Sequence, residues 1–243
     1  MVRIKKVFIS KLTSWNSYNL QPANAFTILE LTHFHDSVNV ILCFIISSVS
    51  RVILSLVHSN LIFLTLIDNH LLESIWIFIP SLFLLKIAVP SLSILYMIDD
   101  LVDCSLRVKV NAHQWYWSYE LADFYPGRAS PCLDFDRYII QDNDLAITEF
   151  RLLETDNRPV LPSSIESQIL ISRADVLHSW TIPRLGVKAD ANPGRINHVK
   201  LKPHNPGVFY GQCSEICGAY HRFMPISLEF VSAETFLRWT ISL

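Results

Sequence analysis

The chain has 243 residues, with 20 Lys and Arg against 22 Asp and Glu, and its net charge of −2 gives no sign of a nucleic-acid partner. Its 51% hydrophobic content is near the ordinary soluble value, so any membrane assignment must come from how those residues are distributed. Five cysteines, an odd number with no regular framework, argue against a disulfide-stapled secreted fold.

Residues 1–30 carry Arg3, Lys5, Lys6 and Lys11 with no acid before Glu30. That composition resembles a mitochondrial transit peptide, and it equally suits a short N-terminal extension on a membrane surface. Nearly all the long apolar runs fall in residues 37–98, where Arg51 and Lys86 are the Lys and Arg residues present. Two membrane spans are predicted, 37–57 and 74–98, because about 20 apolar residues in a helix cross a hydrocarbon core. Pro80 and Pro90 in the second are tolerable in a membrane helix. Two spans place both chain ends on one side, and the Lys- and Arg-free connecting loop at 58–73 would make that the inner side. At the helical rise Arg51 and Lys86 both lie roughly 20 Å inside their spans, so antiparallel helices are expected to bring them to a similar level, pointing to different sides. Cys43, inside an apolar run, reads as a small buried hydrophobe.

After Asp99 the texture changes to an ordinary soluble balance, 14 Lys and Arg against 15 Asp and Glu from residue 105 onward. Short β-branched and aromatic runs occupy 107–119, 145–153, 168–172, 195–201, 208–211 and 226–231. Turn pairs separate them: Pro126-Gly127, Asp142-Asn143, Asp156-Asn157, Pro193-Gly194 and Pro206-Gly207. Strands so spaced predict a β-sandwich or barrel, followed by a short terminal helix at 233–243. The expected division is therefore an N-terminal segment (1–36), a helical hairpin (37–98) and an all-β domain (99–243).

Cys213, Cys217, His221 and Met224 fall within twelve residues, and His178 lies 35 earlier. Thiolate and thioether ligands combined with imidazole suit copper. Three residues between successive ligands let the loop fold back, so that Cys213, Cys217 and His221 are expected to converge on one centre with Met224 as a weak axial contact. Three metal sites remain open on these residues. Zinc takes two cysteines and two histidines but leaves Met224 unused. A blue-copper site takes two histidines, one cysteine and a distant methionine, and leaves a thiol spare. A sulfur-bridged pair of copper ions uses the whole set. Cys104 and Cys132 have no partner at ligand spacing, and His33, His35, His58, His70, His198 and His204 belong to no such group.

The segment from Ala174 through His178, Pro183, Asp190 and Gly194 to Arg195 resembles the first-histidine segment of cytochrome c oxidase subunit II. Pro206 through Pro225 resembles that family's copper loop, and His113-Gln-Trp115-Tyr-Trp117-Ser-Tyr119-Glu120 resembles its aromatic run. Thr32–Asp36, Glu73–Trp76 and Pro90–Met97 resemble its two anchor helices. The similarity runs in order over about residues 30–240.

The resemblance implies a two-helix transmembrane hairpin followed by an all-β cupredoxin-like Greek-key barrel. By match of position, His178, Cys213, Cys217, His221 and Met224 would bind the dinuclear CuA centre. The Glu215 carbonyl would add a copper contact, and its carboxylate would bind a Mg²⁺ shared with subunit I. Trp115 would be the entry point for electrons from cytochrome c, and Glu73 the acid at the mouth of a proton path. The partners implied are cytochrome c, subunit I, other oxidase subunits and membrane lipids. The implied place is the mitochondrial inner membrane, with the C-terminal domain in the intermembrane space, opposite to the side the loop charges favour. On residues alone, Trp115 as part of a strand would be core, and Glu73 would be an acid favoured at a helix start. Residues 125–132 read as an insertion near the docking face, where Glu120, Asp123, Asp134, Asp136 and Asp175 are the acids that could attract a basic partner. Quinol-oxidase subunits lack the copper ligands, and a stand-alone copper-delivery protein would not need Glu73.

Overall fold

The computed structural model describes residues 18–60, 68–99, 104, 106–121 and 133–241. The Pro126-Gly127 turn, the insertion at 125–132, Cys132 and Asp123 lie outside them. Two helices lead: α1, Phe26–His58, and α2, His70–Asp99. α1 starts eleven residues before the predicted span, because residues 26–36 include good helix formers and no Pro or Gly. Asn69 caps α2, its side chain accepting from the Leu72 N–H at 3.1 Å. Pro80 and Pro90 sit inside α2, none of whose side chains is buried within the chain. Both helices are long and apolar enough to cross a membrane. Cys43 is exposed on α1 rather than buried, since an isolated hairpin turns most of its apolar surface outward.

Phe44 and Phe83 meet with ring centroids 5.8 Å apart and set the register of the hairpin. Arg51 is seven residues past Phe44 and Lys86 three past Phe83. In antiparallel helices those offsets add, so the two charges differ in level by roughly 15 Å. The expected common level is thus corrected by the aromatic contact. Both side chains are exposed, without an ion pair among the described residues.

The β-domain begins with β1 (Leu106–His113) and β2 (Tyr116–Leu121), a hairpin that breaks the predicted strand 107–119 at Gln114 and Trp115. β3 (Leu133–Arg137), β4 (Val160–Pro162), β5 (Ser167–Arg173), β6 (His178–Ile182), β7 (Val187–Ala191), β8 (Asn197–Leu201), β9 (Gly207–Gln212) and β10 (Pro225–Val231) follow, and α3 (Ala233–Ile241) closes the chain. One sheet orders as β3-β2-β1-β5-β8, a second as β4-β10-β9, and β6 and β7 form a hairpin. β1 pairs parallel with β5 and β4 parallel with β10, which requires the chain to cross between sheets as a Greek key does.

Alternation explains the layers. In β1 Leu106, Val108, Val110 and Ala112 are buried, whereas Arg107 is exposed, and Lys109 pairs with Glu120 of β2 at 2.9 Å. The largest enclosed side chains are Trp117, Trp180, Tyr119, Phe209 and Phe230, which join both sheets to the β6–β7 hairpin.

The predicted strand 145–153 is instead a series of turns. Glu149 N–H bonds Ala146 O at 2.9 Å, while the Glu149 carboxylate accepts from Ala146 N–H at 3.0 Å. These local bonds occupy backbone groups that a ladder would need. Strands β3, β4, β6 and β7 were not among the predicted runs; three to five residues are too few to show a period.

The segment before α1 joins the β-domain. Buried Asn24 accepts from Asn205 N–H at 3.2 Å and donates to Asn205 O at 3.0 Å, and His204 N–H reaches Asn24 O at 2.8 Å. The segment before α1 and the first residues of that helix therefore belong to the same compact unit as the β-domain.

Candidate metal centre

Two long-range features build the site. β6 opens with His178, whose ring is fully buried, and β9 runs into the loop from Cys213 to Met224 that returns as β10. β9 comes against β6 so closely that a Cβ on Gly211 would stand 1.7 Å from the Thr181 carbonyl oxygen. Glycine at 211 is what lets the loop start beside His178.

Cys213 Sγ lies 3.8 Å from His178 Nδ1 and 4.0 Å from Cys217 Sγ. Cys217 Sγ lies 3.4 Å from His221 Nδ1 and 3.5 Å from Met224 Sδ. Cys213 Sγ also approaches the Glu215 carbonyl at 3.4 Å. His178, Cys213, Cys217 and Met224 are buried, while His221 and Glu215 are half-buried.

Contacts run from His178 to Cys213, from Cys213 to Cys217, and from Cys217 on to His221 and Met224. His178, Cys213 and Cys217 make a group whose ligand atoms all lie within 4.8 Å of one another, and His221 stands outside it, touching Cys217. Cys213, Cys217 and His221, expected to converge, lie in successive contact, at 4.0 Å and 3.4 Å. Three donors at that spacing could hold one metal ion, and His221 and Met224 beside Cys217 extend the donor set beyond them. The donor set fits copper on chemistry as well, since thiol, thioether and imidazole are copper's preferred ligands.

Burial, and then the neighbouring Cys213 thiol, push the Cys217 thiol pKa up. Burial lowers the His178 pKa, opposed by the Asp175 carboxylate. A metal entering here must displace a thiol proton, while burial favours the neutral form of the His178 imidazole that a metal requires.

Asp175 was named in the sequence only as a surface acid. Its Oδ1 stands 2.8 Å from His178 Nε2, and its Oδ2 accepts the Gln114 backbone N–H. The Gln114 side-chain amide donates to Cys217 O at 2.9 Å, as does the Trp115 indole at 3.2 Å. Trp115 lies in the β1–β2 turn, not on a strand, and is half-buried against Tyr220 at 4.9 Å between centroids. Gly218, at φ +126°, leaves room for that indole; a Cβ there would come within 3.1 Å of the ring. Neither Asp175 nor Gln114 was legible as a site residue, because each meets its partner only through folding.

Glu73 is exposed on the first turn of α2, 3.7 Å from His70 Nδ1, and belongs to the helical hairpin rather than to the β-domain. Among the other proposed acids, Glu120 is paired with Lys109 and Asp136 accepts from the Tyr138 hydroxyl at 3.4 Å, while Asp134 is exposed.

The model for the periplasmic domain of cytochrome c oxidase subunit II matches residues 106–231, and that for its transmembrane domain matches residues 13–94. The cytochrome c oxidase subunit 2 of Oncopeltus fasciatus is 47% identical over 94% of this chain and 97% of its own length. That of Periplaneta americana is 43% identical over 96% and 99%. The solved periplasmic domain of cytochrome oxidase subunit II from Bradyrhizobium japonicum is 38% identical, covers 59% of this chain and 96% of its own, and superposes with a TM-score of 0.51. With a membrane-spanning helical pair, a cupredoxin-like β-domain and these matches over nearly its whole length, the chain belongs to the cytochrome c oxidase subunit II family and is part of a membrane-bound oxidoreductase complex.

Proposed function

We propose that this chain is the electron-entry subunit of its oxidase, taking single electrons from cytochrome c at a dinuclear CuA site and passing them to the haem-copper subunit I. The observation that carries this is the run of contacts that brings two thiols, two imidazoles and a thioether together: His178 to Cys213, Cys213 to Cys217, and Cys217 to His221 and Met224. A pair of copper ions held by His178, Cys213, Cys217, His221 and Met224 would supply one-electron redox chemistry spread over two metals. The chain's part is to hold the donors rigid and dry. Met224 and His178 are enclosed by the core, and Trp117 donates to Met224 O at 3.2 Å.

Trp115 offers a half-exposed ring whose N–H is bonded to the Cys217 carbonyl, a short bonded link from surface to site. The half-buried Glu215 would contribute its carbonyl to copper and its carboxylate to a Mg²⁺ shared with subunit I, since Mg²⁺ favours carboxylate oxygen. Glu73, exposed on α2, would receive protons at the opposite side of the membrane from the β-domain. The insect relatives support a mitochondrial inner membrane location, with the domain of residues 99–243 in the intermembrane space.

Copper analysis with electron paramagnetic resonance of the oxidised complex tests the assignment. Two coppers per chain sharing one unpaired electron are expected. Zinc, which is silent, or a single-copper spectrum would overturn it.

A further inference from the structure

Asp175 bonds to two elements of the site at once. It lies between β5 and β6, three residues before His178, and is 29% exposed while His178 is fully enclosed. We infer that Asp175 is a positioning residue that sets which edge of His178 faces the thiols and ties that ring to the turn carrying Trp115. The inference rests on the dicopper assignment above.

An ionised carboxylate only accepts hydrogen bonds. At 2.8 Å from Asp175 Oδ1, His178 Nε2 must therefore be the nitrogen that carries the proton. In the neutral ring, the form in which histidine binds a metal, that leaves the Nδ1 lone pair on the side of Cys213 Sγ, 3.8 Å away. Trp117 lies edge-on to the ring, with centroids 6.0 Å apart, so packing and the carboxylate together restrict its rotation.

The second carboxylate oxygen accepts the Gln114 N–H, and the Gln114 side chain bonds Cys217 O at 2.9 Å. His178, Asp175, Gln114, Cys217 and Cys213 thus form a closed ring of contacts that includes both thiols, and Trp115 hangs from the same Cys217 carbonyl. Both Asp175 bonds receive a donor. An amide at this position has one oxygen and one NH₂, so Asp175→Asn must set a donor against a donor at one of the two. On the His178 side, where the ring is fully enclosed, that mismatch favours a turn of the His178 ring or a shift of the Gln114–Trp115 turn.

Asp175 is also acidic and partly exposed, and a mere docking role for a basic partner makes a different prediction. Losing a docking charge changes encounter rate and salt dependence but not the metal's spectrum. The experiment compares complete oxidase complexes carrying wild-type chain, Asp175→Asn, Asp175→Glu and Asp134→Asn; Asp134 is an exposed acid remote from these bonds. Copper content, the hyperfine pattern of the oxidised centre and its reduction potential are measured with chemical mediators and no cytochrome c. A wild-type complex without the dicopper spectrum would defeat the underlying assignment before any variant is compared. Given that spectrum, Asp175→Asn is expected to change the histidine hyperfine coupling and shift the potential at full copper content, with Asp134→Asn unchanged. Copper loss in Asp175→Asn with recovery in Asp175→Glu, which restores two acceptors, supports the same role. An unaltered spectrum and potential in Asp175→Asn, or copper loss in both Asp175 variants, would overturn it.

Discussion

The Trp115 indole N–H and the Cys217 backbone carbonyl are 3.2 Å apart, joined by a hydrogen bond between residues 102 positions apart in sequence. Trp115→Phe keeps an aromatic ring but removes that bond. Its cost to folding should stay near the net worth of one hydrogen bond, about 1 kcal/mol, since Gln114 still reaches the carbonyl. Copper should remain bound while electron entry from cytochrome c slows by at least about tenfold, a barrier change of about 1.4 kcal/mol. Stopped-flow reduction of the oxidised complex checks this, and normal entry would make Trp115 a packing residue.

Cys217 touches Cys213, His221 and Met224, the most side-chain donor contacts of any residue in the group. On the proposed dicopper reading Cys217→Ser should abolish the dicopper spectrum, because it would remove a donor common to both metals. Retention of that spectrum would contradict the bridging arrangement.

Glu215→Gln keeps the backbone carbonyl near Cys213 and removes the carboxylate charge. Copper content should be unchanged, while Mn²⁺ substituted for Mg²⁺ should be held less tightly, a change visible in the Mn²⁺ resonance. Equal Mn²⁺ affinity in both proteins would remove Glu215 from that site.

Gly211→Ala would set a methyl carbon 1.7 Å from Thr181 O, backbone against backbone. β9 must then move off β6, and the destabilisation should exceed about 4 kcal/mol. The expected result is a β-domain that does not fold or bind copper; a stable, copper-loaded variant would contradict the close approach.

Glu229, on β10, has its carboxyl pKa raised by burial, with Arg158 acting in the opposite direction. A raised folded-state pKa means the folded form holds the proton more tightly. The stability this contributes is present below the ordinary glutamate value and is lost as pH climbs through the raised one. Glu229→Gln removes that loss, so its unfolding midpoint should gain on wild type as pH rises across this window and then level off. A constant difference would show that Glu229 titrates alike in both states.

Much of the molecule was legible because its signals are local. Two apolar stretches disclose spanning helices through composition alone, and Cys213, Cys217, His221 and Met224 occur close enough together to be read as a ligand set. Leu145–Leu153 shows the limit: its residues favour a strand, but Glu149 folds back on Ala146 and the segment turns. Lys86 and Arg51 were placed by counting from the ends of each span, whereas Phe44 against Phe83 fixes their separation.

What the sequence determined by itself is the set of donors, since donor chemistry belongs to side chains and travels with them. What the tertiary structure decided is how those donors are arranged. His178 reaches Cys213 across 35 residues, and Asp175 reaches Gln114 across 61. Such contacts depend on β6 lying against β9 and on the β1–β2 turn meeting the metal loop. That geometry follows from packing Trp117, Trp180 and Phe209 in one core, which no local spacing encodes.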